Sequence, residues 1–288
     1  MALNYSCKTT EHHLARRSFL GGMLTGASAV VGGLGAFANP QAYAKLNRDQ
    51  KRIVVFNMHG GLSQLESWDP KPGTDTGGPT RAIATSVPGI HIADTLPHTA
   101  KQIHNLCLVR SVNTRNGDHG KGRYMMLTGR AQTPAADYPE IGAVAAKTLN
   151  PPQSSLPGHI RITPGGSGGR GNDSAYLGPK YASISLDGGK PPQNTTLPKN
   201  VTEEADAKRN QLRQFANTSF LERRRTAMTD AFTYSYEQAE QLMAQRDIFD
   251  ISKESEKDAA RYGTHDFGRH CLLARRLLEN NISFVQVS

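Results

Sequence analysis

Ile53-Val54-Val55-Phe56-Asn57-Met58, with His59-Gly60-Gly61 directly behind it, decides the fold class. A run this apolar after the basic pair Lys51-Arg52 reads as a buried strand of a parallel sheet, and the glycines end it. Working outward, Leu106-Cys107-Leu108-Val109 reads as a second buried strand and His159-Ile160-Arg161-Ile162 as a third. Ile282-Ser283-Phe284-Val285-Gln286-Val287 is the last. Helical patterns lie between them, at 96–104, at 123–127 closed by Thr128-Gly129, and at 141–149 stopped by Asn150-Pro151-Pro152. A long charged stretch follows over 202–247, then 267–279 stopped by Asn280-Asn281. Residues 69–89, the stretch Gly165-Gly166-Ser167-Gly168-Gly169-Arg170-Gly171 and residues 182–200 carry loop chemistry. Strands alternating with helices predict a layered α/β fold with a mostly parallel sheet.

The bulk properties narrow the class. The chain has 288 residues, 37% of them hydrophobic, enough for one core. Three cysteines exclude a disulfide scaffold and a four-cysteine zinc site. The net charge of +9 raises nucleic acid as a partner, but the basic residues are scattered, with no basic stripe interleaved with aromatics. The densest run, Arg223-Arg224-Arg225, reads as a solvated helix face ahead of a polyanion site. Cys107 and Cys271 sit in apolar surroundings, which suits two buried thiols or, after export, a disulfide.

The N-terminus reads as an address. Arg16-Arg17-Ser18-Phe19-Leu20 is a twin-arginine pattern, followed by an uncharged, glycine-rich stretch over 19–38. Ala36-Phe37-Ala38 and Ala42-Tyr43-Ala44 are small-x-small cleavage sites. Residues 1–44 are therefore expected to be a removable twin-arginine signal, with export to the periplasm and no stable membrane span afterwards. Residues 45–288 then form the mature domain, with a long helical insertion at about 202–281.

Open α/β sheets place their sites at the carboxyl ends of strands. Two segments fall there: HGGLSQLESWDPKPG after the first strand and GDHGKGRYMMLTGR shortly after the second. Each brings His and Asp together, and imidazole plus carboxylate suits a zinc, manganese or iron site. His59 and His119 are flanked by glycine, so the backbone there can approach a ligand closely. His91, His98 and His104 read as surface or structural residues. Familiar nucleophile motifs are missing. Gly61-Leu62-Ser63-Gln64-Leu65 lacks the second glycine of a nucleophile elbow, no His-Glu-x-x-His helix exists, and the 165–171 glycines lack the P-loop ending.

GGLSQLESWDPKPG, VPGIHIADTLPHTA, LVRSV, DHGKGRYMMLTGR and RYGTHDFGRHCLLARRLLENNISFV together resemble the bacterial domain-of-unknown-function 1501 family, from about Arg52 to Ser288. That family resembles the alkaline phosphatase and sulfatase superfamily, so the resemblance implies an alkaline-phosphatase-like layered fold. Sulfatases carry C-x-P-x-R followed by T-G-R. Here Arg123 falls on the signature Arg and Thr128-Gly129-Arg130 on the ending, which leaves His119 in the nucleophile slot and Lys121 in the Pro slot. Formylglycine cannot form, so a formylglycine sulfatase is excluded. The superfamily's first strand ends in a metal-binding Asp; this one ends in Asn57-Met58-His59, with Asp69 further on. The family's later Gly-Trp-Asp-x-His, Glu-Phe-Gly-Arg-Thr and Gly-Arg-Asp-His motifs are absent. The resemblance thus implies a domain incomplete at its C-terminus, truncated before most metal ligands and inactive alone.

The function expected is that of an exported, metal-dependent hydrolase of phosphate or sulfate esters, with an anionic ester as partner and no nucleic acid. The alternatives are a non-catalytic exported binding or assembly protein on a degenerate hydrolase fold, and an inactive fragment. His119 and Arg123 are the catalytic candidates. His119 is cast as ligand, acid/base or nucleophile, at a helix N-terminus whose N–H groups favour an anion; Arg123 either holds an anionic oxygen or braces the loop. His59, Asp69 and Asp118 are the candidate ligands of a divalent Zn, Mn or Ca ion.

Overall fold

The computed structural model describes residues 51–58, 62–151, 154–193, 195–221 and 227–288. Strand β1 (Ile53–Phe56) opens the main sheet. An antiparallel hairpin of β2 (Ala82–Ala84) and β3 (His91–Ala93) stands apart from it. Beyond lie β4 (His159–Ile162), β5 (Ser167–Arg170), β6 (Ile184–Leu186) and β7 (Phe284–Val287). The five-stranded order is β1-β7-β4-β6-β5, parallel throughout except for β5 at one edge. The helices are α1 (Pro97–Ala100), α2 (His119–Thr128), α3 (Ile141–Leu149), α4 (Glu203–Leu221), α5 (Ala227–Ala244), α6 (Glu256–Tyr262) and α7 (Asp266–Glu279).

Strand alternation sorts side chains to the two faces of this sheet. Ile160, Ile162, Ile184, Leu186, Val285 and Val287 all point to the α7 face. There they pack with Leu273, Ala274 and Leu277, and with Phe249 and Leu242 from the chain that precedes α7. Each such side chain, fully removed from water, stabilises the fold by about 1.5–3 kcal/mol. The opposite face carries His159 and Phe284, in edge-to-face contact at 5.1 Å. Helix α3 covers them with Gly142, Ala143, Ala145 and Ala146, small residues that let it lie close. A Cβ on Gly142 would overlap the rings of both His159 and Phe284. Arg276 of α7 ties the preceding loops down, donating to the carbonyls of Ile248 and Asp247 and pairing with Glu254.

The layered α/β fold and its mostly parallel sheet match the sequence reading, as do β1, β4, β7, α2, α3 and α7. Other segments differ. The 53–58 run is parallel but not buried: among the described residues β1 pairs only with β7, and Val54 and Phe56 stay exposed at the edge. Leu106-Cys107-Leu108-Val109 forms no strand. Among the described residues no strand pairs with it, Leu106 and Val109 face solvent, and Leu108 packs instead on the small hairpin core of Ile92, Ala100 and Ile103. The expected 96–104 helix divides into α1 and a 3-10 turn at Ile103–Asn105. The glycine-rich 165–171 loop contains β5, because Gly166, without a Cβ, lies directly on the Leu186 backbone of β6. β6 itself lies inside the expected 182–200 loop. Cys107 is exposed and Cys271 half-buried, both as free thiols, so neither a disulfide nor a buried pair forms. Among the described residues no helix is long and apolar enough to cross a membrane. The signal at 1–44 and Arg223-Arg224-Arg225 lie outside the described residues.

Candidate functional site

Helix α2 carries the two catalytic candidates. Asp118 is its N-cap, in extended conformation, and its Oδ1 accepts from Lys121 N at 2.8 Å. This bond, with the Lys121 charge, holds the carboxyl below its usual value, against desolvation. His119 is the first helical residue and is exposed. Arg123 lies one turn later on the same side of the helix, half-buried. Gly129 closes the helix in the left-handed conformation, its N–H donating to Met125 O. Tyr124 OH accepts from Tyr138 N at 2.9 Å, which docks α2 onto the segment leading into α3.

That docking brings Arg123 to a polar cluster that the sequence did not single out. Glu140 is the N-cap residue of α3, and Arg161 near the carboxyl end of β4 comes within 4.0 Å of its Oε2. Burial pushes the Glu140 carboxyl up, against the pull of Arg161 and Arg123. Arg161 donates to Asp173 Oδ2 at 3.3 Å, and Asp173 Oδ1 accepts from Ser183 N at 2.9 Å. Burial also works against the Asp173 anion, but His159, the Ser183 donors and Arg161 outweigh it and hold its carboxyl down. His159, at the start of β4, is buried and its imidazole is pushed down to about 4 by desolvation. The signal for this cluster was present in outline: His159 and Arg161 alternate with isoleucines in β4, so they share one face.

A second polar group sits at the carboxyl ends of the strands. Asp187 directly follows β6, half-exposed, with Oδ1 accepting from Gly188 N at 2.7 Å. His270 on α7 is buried, and its Nε2 comes within 3.5 Å of Asp187 Oδ1. The first turn of α7 reaches the end of β1, where Phe267 meets Phe56 edge to face at 6.3 Å.

Of the candidate metal ligands, Asp69 and Asp118 are described, each in local bonds of its own. Asp69 pairs with Lys71 at 2.8 Å and with Arg110 at 3.7 Å, beside the β2–β3 hairpin. Asp118 spends its carboxylate on the α2 cap. His59 lies outside the described residues. Among the described residues no three His, Cys, Asp or Glu side chains stand together as a metal site. The structure therefore joins Arg161 to Glu140 and Asp173, with the Arg123 charge acting on Glu140, and leaves Asp69 and Asp118 in separate local bonds. The helix N-terminus is also less free than expected, because the Asp118 carboxylate already takes the Lys121 N–H.

A mostly parallel sheet between helical layers, with polar groups near its carboxyl edge, defines a layered α/β protein. The family described as protein of unknown function (DUF1501) matches residues 50–288, so the chain belongs to that family. No curated protein and no solved structure matches it.

Proposed function

We propose that the chain is an exported protein of the alkaline phosphatase and sulfatase kind that takes a phosphate or sulfate ester on α2. The observation that carries this reading is the side-chain pair His119 and Arg123. An exposed imidazole stands at the first position of the helix, and a guanidinium follows one turn later on the same side. Arg123 holds the anionic oxygens in a forked contact, with Lys121 adding charge at the rim. His119 takes the proton of the attacking water as the P–O or S–O bond to the departing alcohol breaks, or attacks the ester centre itself with loss of that alcohol, which takes a proton from solvent, and water then hydrolyses the imidazole-bound group. Backbone N–H groups contribute less than in an uncapped helix, since Asp118 occupies that of Lys121. No step is assigned to a divalent ion, because the described carboxylates do not assemble a site for one.

The test is hydrolysis of aryl phosphate and aryl sulfate by a family member that carries the later Gly-Trp-Asp-x-His, Glu-Phe-Gly-Arg-Thr and Gly-Arg-Asp-His motifs, with the position of His119 replaced there and metal content measured on the same sample. Activity is expected to disappear in His119→Ala while the thermal midpoint stays nearly unchanged, since replacing an exposed side chain shifts stability within about 0.5 kcal/mol. Equal activity in the variant would remove His119 from the site.

A second reading is a binding or assembly protein without catalysis. The commitment of Asp69 to Lys71 and Arg110, and of Asp118 to the cap, favours it. Tight binding of the esters without turnover, lost in Arg123→Ala, is its signature. Export is tested separately. Replacing Arg16 and Arg17 by Lys should trap the precursor in the cytoplasm, and unchanged export would remove the twin-arginine assignment.

A further inference from the structure

Helices α4 and α5 form an antiparallel hairpin whose outer side is apolar and uncovered. The pairing is fixed by two contacts: Arg213 stacks on the Tyr236 ring at 4.9 Å, and Asn217 donates to Thr233 Oγ1 at 2.9 Å. Successive helical residues are rotated by about 100°. In an antiparallel pair, residues one position before the facing residues therefore fall on the same side of the hairpin. Leu212 and Ala216 precede Arg213 and Asn217, and Phe232 precedes Thr233. Phe215, Tyr236 and Ala239 border that side by the same rotation. The opposite side faces the body of the protein: Tyr234 meets Lys180, and Gln238 and Leu242 are buried. The outer side is open instead, with Leu212 64% exposed, Phe215 73%, Phe232 62% and Tyr236 56%.

We propose that this side is a self-association surface, on which a second copy of the chain packs its own α4–α5 hairpin to form a four-helix bundle across a two-fold axis. The independent support is area and shape. At roughly 150–250 Å² for a large side chain, the four exposed residues present about 500 Å² per copy. The neighbouring alanines bring the total toward the roughly 800 Å² per partner of a stable interface. A patch of about 500 Å² lies toward the upper end of what a monomer exposes, and patches of that size are often functional. Large side chains alternate with Ala216 and Ala239, so knobs on one hairpin meet gaps on the other, and a two-fold interface uses the same patch twice. The surface is remote in sequence from His119 and Arg123, and the inference is independent of the function proposed for them.

The experiment is sedimentation equilibrium or light scattering on the purified protein across a concentration series. A discrete dimer is expected. Leu212→Glu with Phe232→Glu should weaken it by about a hundredfold or more, as for central interface residues. Circular dichroism and the thermal midpoint should be retained, because both positions are exposed. Val109→Glu, an equally exposed apolar site away from the hairpin, should leave the dimer intact. A monomer at every concentration, polydisperse aggregation in place of a dimer, or equal loss in Val109→Glu would each overturn the proposal.

Discussion

His159 fixes the pH response of the core. Its imidazole is pushed down to about 4 in the folded chain by burial against α3, with Asp173 and Tyr181 O pulling the other way and Arg161 adding to the depression. The unfolded chain takes up that proton near pH 6.5. Between about 6.5 and about 4 only the unfolded state is protonated there, so stability is full above the window and falls as pH drops through it. The loss attributable to His159 is about 3 kcal/mol at most. Glu140, whose carboxyl is pushed up, acts in the opposite sense and favours the fold on the acid side. Urea unfolding at pH 7 and at pH 4.5 should show the fall, and His159→Met should flatten it. A wild-type slope in that variant would mean that other groups set the response. This residue also marks a limit of the sequence. A histidine opening an apolar strand reads as an ordinary strand residue, because nothing local tells that Gly142 and Phe284 will enclose it. Likewise Asp173 and Glu140 look like loop and cap residues until Arg161 is placed between them.

Elements whose ends carry their own chemistry were legible. Asn150-Pro151 stops α3, Gly129 closes α2, and Asn281 turns the chain after α7 with a positive φ of 68°. Strands that depend on a distant neighbour were not: β5 reads as a flexible glycine run until β6 is beside it, and 106–109 reads as a strand although nothing pairs with it. Two glycines separate local from tertiary constraint. Gly129 has φ 68° and open space around it, so Gly129→Ala should cost only the conformational penalty of about 1 kcal/mol. Gly268 of α7 lies against the Tyr262 carbonyl, which a Cβ would overlap, so Gly268→Ala must push α6 and α7 apart and should cost about 1–3 kcal/mol or more. Chemical denaturation of the two variants side by side checks the order; a smaller cost at Gly268 would show that the α6–α7 junction yields freely.

The molecule as a whole is organised around β7, which β1 and β4 flank and both helical layers cover. Val54 and Val285 are register partners in adjacent strands, yet Val54 is 38% exposed and Val285 is fully buried. Val54→Thr should stay within about 0.5 kcal/mol of the parent. Val285→Thr, the same change one strand inward, should cost about 1–3 kcal/mol by burying a hydroxyl with no partner. Equal costs, read from midpoints of thermal or urea unfolding, would show that β1 is covered in solution. The layered class was legible because β1, β4 and β7 are apolar runs alternating with capped helices. The order of the strands was not, because an apolar run carries no record of which neighbour it will meet.

The pairing of Ile53 with Phe284 also sets a timetable. A ribosome makes β1 first among the strands, and almost the whole described chain must be added before β7 emerges to hold it. Throughout that interval the newborn chain carries an unpaired apolar strand, and β4 lacks its neighbour on the same side. Closure of the sheet waits on a contact between distant parts of the chain, a slow step by its topology, and the exposed strand is open to mispairing while it waits. That wait is the interval in which a holding chaperone covering β1 would limit mispairing.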